Sequence, residues 1–358
     1  MPAEADPALA LLLAKEVADV YGAAVDDMLR VVARTLASGA SEPGWETRKL
    51  VEVWRLRARV QAIIDRLASV GEGSIADVIR EAWDEGVRVG AAEMAIEGSA
   101  ARFGTTNVRA VNELVTEAVT RVRSTYGQIL REVLDVYRDV VYKATGPMVV
   151  GTRTRQEAIQ AALDAFADRG IRGFIDRRGR RWEIETYAEM AVRTAAARAQ
   201  IAGTLDRFVA AGRDLVICSD HPRECPKCRP WEGRVLSITG ATPPGTVLED
   251  GTVVAATVAT AQAQGWQHPN CRHNMTAYVV GLTEVPSATA DPPGWEALQQ
   301  QRALERRLRR WRRRQAVAIT PEAARYAAAR AREVEAALAK HVRTHGLRRE
   351  PERERARL

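Results

Sequence analysis

Cys225-Pro226-Lys227-Cys228 and, further along, His268-Pro269-Asn270-Cys271-Arg272-His273 decide how this chain is read. Three of its four cysteines lie in these two short stretches. Each stretch places two metal-competent side chains three positions apart, the spacing at which a tight turn aims both at one ion. Two such turns make a closed tetrahedral site, and a sulfur-rich set with an imidazole suits zinc. The expected ligands are Cys225, Cys228, His268 and Cys271. His273 is an alternative nitrogen donor, and Cys218 and His221 are alternatives nearby. Such a site holds a fold together, because no position is left for a reacting water. Pro226 and Pro269 restrict the turns and lower the entropy lost on closure.

Around the two turns lie three ordered blocks. The first is Gly173-Phe-Ile-Asp-Arg-Arg-Gly179-Arg-Arg-Trp182-Glu-Ile-Glu-Thr-Tyr187-Ala-Glu-Met190-Ala-Val-Arg193-Thr194. The second is Cys225-Pro-Lys-Cys228-Arg-Pro-Trp231-Glu-Gly233-Arg-Val-Leu-Ser237, continued by the His268–His273 stretch. The third is Gln301-Arg-Ala-Leu-Glu305-Arg306-Arg-Leu-Arg309-Arg-Trp311-Arg. Together they resemble the phage minor capsid protein 2 family and the wider Mu F-like head-morphogenesis group of tailed bacteriophages. The resemblance implies a virion structural protein, a minor head component associated with the portal vertex. Its implied partners are the portal protein, the major capsid or scaffold protein, and packaged DNA. Its implied work is head morphogenesis, with packaging or ejection of DNA as a further role. The metal reading rests on the residues themselves and not on the resemblance.

Composition sets the outer bounds. With 358 residues and 46% apolar content, the chain can bury a sizeable core, and two domains are expected. Aromatics are 5%, and alanine, valine, leucine and arginine dominate, which favours helix. The start is acidic, unlike a secretory signal, and the apolar run at residues 8–14 stops at Lys15 and Glu16. No run approaches the roughly 18 apolar residues of a membrane span. Host cytoplasm during assembly, then the virion, is the expected location. In a reducing compartment the thiols ligate metal more readily than they form disulfides.

Net charge is +7, unevenly spread. Residues 302–358 carry 18 basic and 7 acidic side chains, leaving 35 basic against 39 acidic before them. Eight arginines fall between positions 302 and 314, with Glu305 the one acid among them. That asymmetry suggests an anionic partner, with Arg306, Arg309, Arg310, Arg312 and Arg313 as its contacts. A solvated helical face is the plainer reading of the same run.

Along the chain, residues 1–146 read as helices: about 7–38, 47–69, 74–96 and 106–144. Gly71 and Gly73 are expected to break the second from the third, and Ser74 to cap the third. The long fourth carries one apolar stripe from Val108 to Val140. A bundle or an extended arm would serve equally. Residues 147–285 read as a small α+β domain: a helix near 154–168, a hairpin turning at Gly179, a helix over 185–211 closed by Gly212, and strands near 214–219, 234–237, 246–248 and 252–255. A Pro- and Ser-rich linker, 286–293, leads to a basic helical tail over 294–358, with helices at 294–316 and 321–343 and frayed residues after Gly346. The fold class is therefore mainly α with a small α+β module.

Two other functions fit parts of this pattern. A zinc-knuckle nucleic-acid-binding protein would use Trp231 or Trp266 as a stacking platform. A metal-dependent hydrolase can be sketched from His221, His268 and His273 beside Asp220, Glu224 and Glu232. Hydrolysis needs an open coordination position, which the paired turns close. His-Glu-x-x-His, Gly-x-Ser-x-Gly and phosphate-cradling glycine loops are absent from the sequence, so no catalytic residue is expected.

Overall fold

Alanine-rich, stripe-patterned sequence becomes helix over most of the chain. The computed structural model describes residues 7–40, 42–96, 107–149, 154–169, 174–175, 181–268, 271–285 and 289–355. The helices are α1 (Pro7–Ala37), α2 (Trp45–Val51), α3 (Val53–Ile96), α4 (Val108–Arg123), α5 (Tyr126–Val149), α6 (Arg155–Arg169), α7 (Ile184–Ala210), α8 (Val258–Ala263), α9 (Pro292–Ala316) and α10 (Pro321–Thr344). The strands are β1 (Phe174–Ile175), β2 (Arg181–Trp182), β3 (Leu215–Cys218), β4 (Val235–Ser237), β5 (Val254–Thr257) and β6 (Met275–Ala277). The expected mainly helical class with a small mixed sheet is what the chain adopts. None of these helices is long and apolar enough to cross a membrane.

The chain forms two compact units whose sequences interleave. One comprises Met1–Val17, Gly73–Thr120 and Glu189–Glu296; the other comprises Ala18–Glu72, Arg121–Ala188 and Ala297–Leu358.

In the first unit the sheet has the order β5-β4-β3-β6. β3 is antiparallel to both β4 and β6, with Val216 opposite Leu236 and Ala277. β4 and β5 run parallel, with an irregularity between Val235 and Leu236. The expected strand near 246–248 is reduced to a bridge between Val247 and Val253. One face of the sheet packs Val216, Cys218, Leu236, Ala256 and Met275 against Phe208, Trp266 and Met94. α7 reaches this core by crossing α3 at glycines. A Cβ on Gly86 would lie 1.9 Å from the Gln200 carbonyl oxygen, and one on Gly203 would lie 2.5 Å from that of Trp83. Thr204 Oγ1 donates to the Gly86 carbonyl at 3.0 Å across the crossing. Further along α3, the Glu93 carboxylate accepts the Ala277 backbone N–H at 3.1 Å and anchors β6.

Against expectation, α3 is unbroken at Gly71 and Gly73. An added Cβ on Gly71 would sit 3.0 Å from the Tyr21 ring, so this glycine admits the aromatic side chain rather than ending the helix. Tyr21 in turn shares a 2.7 Å hydrogen bond with the Tyr126 hydroxyl. The long stripe expected over 106–144 is two helices. The break falls at Thr125, whose backbone N–H and hydroxyl both turn back to the Val122 carbonyl at 3.0 and 2.7 Å. Gly179, the expected hairpin turn, lies outside the described residues, but Phe174 does pair with Trp182.

The basic tail folds as a helix pair. Leu304, Leu308 and Trp311 of α9 meet Ala331, Val334 and Leu338 of α10. Thr320 caps α10, its side chain accepting the Ala323 N–H. Residues 347–355, expected to fray, are tied to α9 instead. Gln301 Nε2 donates to the Arg348 carbonyl at 2.8 Å, and Arg312 donates to that of Glu354 at 2.8 Å. Backbone carbonyls that would otherwise face water are thereby satisfied, and the terminal strap is held along α9.

Candidate metal centre

One backbone hydrogen bond spans three positions in each of the two stretches. The Cys228 N–H donates to the Cys225 carbonyl at 3.1 Å, and the Cys271 N–H donates to the His268 carbonyl at 2.9 Å. The first turn continues into a single 3-10 turn, Arg229–Trp231, with Pro230 in its first positions. The second follows α8 after four residues, 264–267. Among the described residues, Arg223 and Gln267 are the non-glycine residues with positive φ, at 66° and 53°. Each lies just before a turn. Left-handed backbone at such residues costs on the order of 1 kcal/mol or more, and is held where surrounding structure demands it. Here Gln267 is buried and fixed by a 2.7 Å hydrogen bond from Gln262.

The sheet brings the turns together. Cys218 ends β3 and Met275 begins β6, paired in register. Beyond them, the Ser219 N–H donates to the Asn274 carbonyl at 3.0 Å and the Ser219 hydroxyl accepts the Asn274 N–H at 2.9 Å. Cys228 Sγ then lies 3.5 Å from Cys271 Sγ, and Cys225 Sγ lies 2.7 Å from His268 Nε2. Two overlapping ligand trios result: Cys225, Cys228 and His268, and Cys228, Cys271 and His273. Within each trio the donor atoms lie within 4.8 Å of one another. Cys228, fully buried, belongs to both.

This donor set fits a metal ion. Zinc–sulfur bonds of about 2.3 Å and zinc–nitrogen bonds of about 2.0–2.1 Å imply tetrahedral edges of about 3.6–3.8 Å. The Cys228–Cys271 separation is close to such an edge. The thiols also influence one another's ionisation. Cys225 is lowered to about 3, first by the hydrogen bond from Cys228 and then by His268. Cys271 is lowered to about 4, again through Cys228 and then His273. Cys228, the shared donor, is pushed up. Thiolate is the form that ligates metal.

Of the alternative donors, His273 joins the cluster, while Cys218 and His221 belong to neither trio. Cys218 is fully buried among the sheet's apolar side chains, and desolvation raises its thiol. His221 Nδ1 sits 2.7 Å from the Pro222 carbonyl. Among the carboxylates of the hydrolase sketch, Glu224 accepts from Arg229 Nε at 2.6 Å and from the Asp291 N–H at 3.0 Å. Asp220 accepts the Thr289 hydroxyl at 2.7 Å. Both tie down backbone ahead of α9. Glu232 is different. Its side chain is buried, and Oε1 lies 2.6 Å from His273 Nε2. Burial raises Glu232; for His273, burial opposes charge, but Cys271 and Glu232 outweigh it and raise the ring overall. Sequence spacing could not join Glu232 to His273, because no local pattern relates them.

The tail arginines divide into two sets. Arg306 and Arg310 are exposed, as is Arg307 between them. Arg309 and Arg313 are buried. Arg313 lies 3.2 Å from Glu183 and 3.9 Å from Asp26. Arg309 donates to the Arg353 carbonyl at 2.5 Å. Arg312 adds a 3.5 Å ion pair with Glu335 to its bond with the Glu354 carbonyl.

Comparison with known proteins supplies what geometry cannot. The profile of the phage minor capsid protein 2 family matches residues 6–343. A structural protein of Lactococcus phage LL-H is 27% identical over 186 residues, 51% of this chain and 50% of that protein. The chain thus aligns with about half the length of that curated relative. No solved structure matches.

Proposed function

The chain belongs to the phage minor capsid protein 2 family, and from that membership we propose that it is a minor head protein of a tailed phage or prophage, built into the virion at the portal vertex. The observation that carries this reading is the family match over residues 6–343. Its partners are the portal protein and the major capsid or scaffold protein, met in the host cytoplasm while the head assembles. Its work is head morphogenesis, with DNA packaging or ejection as the linked steps. Catalysis has no part in this reading.

Two features of the chain would serve that role. A structural zinc held by Cys225, Cys228, Cys271 and one imidazole, His268 in the plain reading of the spacing, would staple the sheet unit. The ion would cross-link the two stretches beside the sheet's apolar core, so that binding energy becomes folding energy. The exposed arginines of α9, Arg306 and Arg310 with Arg307, would meet an anionic partner such as packaged DNA. Arg309, Arg312 and Arg313 would hold the helix and strap that present them.

Quantitative mass spectrometry of purified particles tests the role. The chain should be present at low copy number relative to the major capsid protein, and should cross-link to the portal. Absence from particles, with normal heads after deletion of the gene, would refute it.

A further inference from the structure

We propose that His273, positioned by Glu232, is the nitrogen ligand of the metal centre, so that Cys225, Cys228, Cys271 and His273 hold the ion. This rests on the reading of the site as a metal staple and deepens it. The His273 side chain is 4% exposed and that of Glu232 0%. Nε2 of the ring is occupied by Glu232 Oε1 at 2.6 Å, which leaves Nδ1 as the nitrogen available for coordination. That nitrogen faces Cys271 Sγ at 3.3 Å, and His273 shares a trio with Cys271 and Cys228. The Trp266 ring, 4.7 Å from the imidazole centroid, limits its rotation. An imidazole that ligates metal through one nitrogen while a carboxylate takes the other is the arrangement by which proteins orient histidine ligands and raise their basicity.

Distances separate the two histidines. Two ligands of one zinc, one sulfur and one nitrogen, stand about 3.6 Å apart. Cys271 and His273 are close to this at 3.3 Å, whereas Cys225 and His268 are at 2.7 Å. The latter is a thiol–imidazole contact, too short for a shared coordination edge. His268 is therefore assigned as a hydrogen-bond partner of the Cys225 sulfur.

Charge supplies a second argument. Glu232 Oε2 is buried with no hydrogen-bond partner among the described residues, and Oε1 is shared between His273 and the His221 N–H at 3.2 Å. A buried carboxylate so thinly compensated is costly. Coordination through Nδ1 polarises the ring, so that Nε2–H donates more strongly to Glu232 Oε1 and the carboxylate gains a better partner. Glu232 is thus a positioning residue: it acts on the ion through His273.

Cobalt(II) binding to the full chain, followed by ligand-field and sulfur-to-metal charge-transfer absorption, tests this. His273→Gln should weaken cobalt binding at least about 100-fold, and Glu232→Gln about 10–100-fold, the range typical when such a partner is lost. His268→Gln should stay within about threefold of wild type, outside that range. His273→Cys guards against misfolding: it should restore binding with stronger sulfur-to-cobalt charge transfer, which a purely structural role for residue 273 would not produce. Retained binding in His273→Gln together with loss in His268→Gln would overturn the assignment. A wild-type chain that takes up no cobalt or zinc would instead bring down the metal reading itself, and is recognised by its independence of all four residues.

Discussion

The sulfurs of Cys228 and Cys271, 43 positions apart in sequence, stand 3.5 Å from each other. The chain between them includes β4, β5 and α8, so the contact closes a loop containing half the sheet. If an ion joins the two sulfurs, the unit's stability is tied to metal occupancy. Adding a strong chelator to the purified protein should then accelerate amide exchange throughout β3, β4 and β6. A structural zinc contributes about 10 kcal/mol or more in small metal-dependent folds, enough to unfold a sheet of this size when lost. Amides of α10 and of α9 from Ala297 on, in the other unit, should keep their protection. Unchanged exchange in the sheet after chelation would count against the staple.

The crossing of α3 and α7 gives a cleaner test of packing. Gly86→Ala would force a methyl to 1.9 Å from the Gln200 carbonyl oxygen, so the helices must separate. Overpacking of this kind costs about 1–3 kcal/mol, and more when backbone is the obstacle. Gly73 lies on the same helix with nothing within 4 Å of an added Cβ. Gly73→Ala should therefore stabilise by about 0.5–1 kcal/mol, through helix propensity alone. Denaturant melts of the two variants should shift in opposite directions.

Asp214 carries a pH dependence separate from the thiols. It accepts from Ser237 Oγ at 2.8 Å, Thr239 N at 2.8 Å, Thr239 Oγ1 at 2.6 Å and Thr242 N at 2.9 Å. Burial favours the neutral acid, but these donors outweigh it and hold the carboxyl well below its usual range. Its contribution is full above the ordinary carboxylate value of about 3.9 and fades as pH falls below it. Asp214→Asn should cost about 1–3 kcal/mol at neutral pH, as expected for lost charged hydrogen bonds. The difference between variant and wild-type melting temperatures should narrow below about pH 4. A gap independent of pH would show that charge at Asp214 is immaterial.

Arginines of α9 should separate by burial. Replacing Arg306, Arg307 and Arg310 with Ala should leave the melting temperature nearly unchanged, yet weaken DNA retention and flatten its salt dependence, because fewer counterions are released. Arg313→Ala removes the buried guanidinium that faces Asp26 and Glu183 and should cost about 1–3 kcal/mol. Equal effects of both changes on DNA binding would argue that the exposed face is only solvated.

Much of this was legible before the structure, for local reasons. Apolar positions such as Leu56, Val60, Ile63, Ile64 and Leu67 recur at helical spacing, and all five are buried. Thr320-Pro321 marked the start of α10, where cap and first-turn proline both act within a few residues. The Cys-x-x-Cys and His-x-x-Cys spacings pointed to turns that do meet. What escaped depends on partners distant in sequence. Gly71 looks like a breaker until Tyr21 is seen above it. The stripe from Val108 to Val140 runs through the break at Thr125 without losing its period, and Gly127 just beyond it is a weak signal inside so regular a pattern. Residues after Gly346 look frayed until Gln301 and Arg312 reach their carbonyls. Glu232 meets His273 from 41 positions away, and only the sheet that aligns β3 with β4 and β6 brings them together.

The most direct measurement is the metal content of the chain purified without chelator, alongside Cys228→Ser, since Cys228 lies in both trios. A closed four-ligand site predicts about one zinc per wild-type chain and none in the variant. A wild-type protein that is fully folded and metal-free, or one that forms a disulfide between Cys225 and Cys228, would contradict the account.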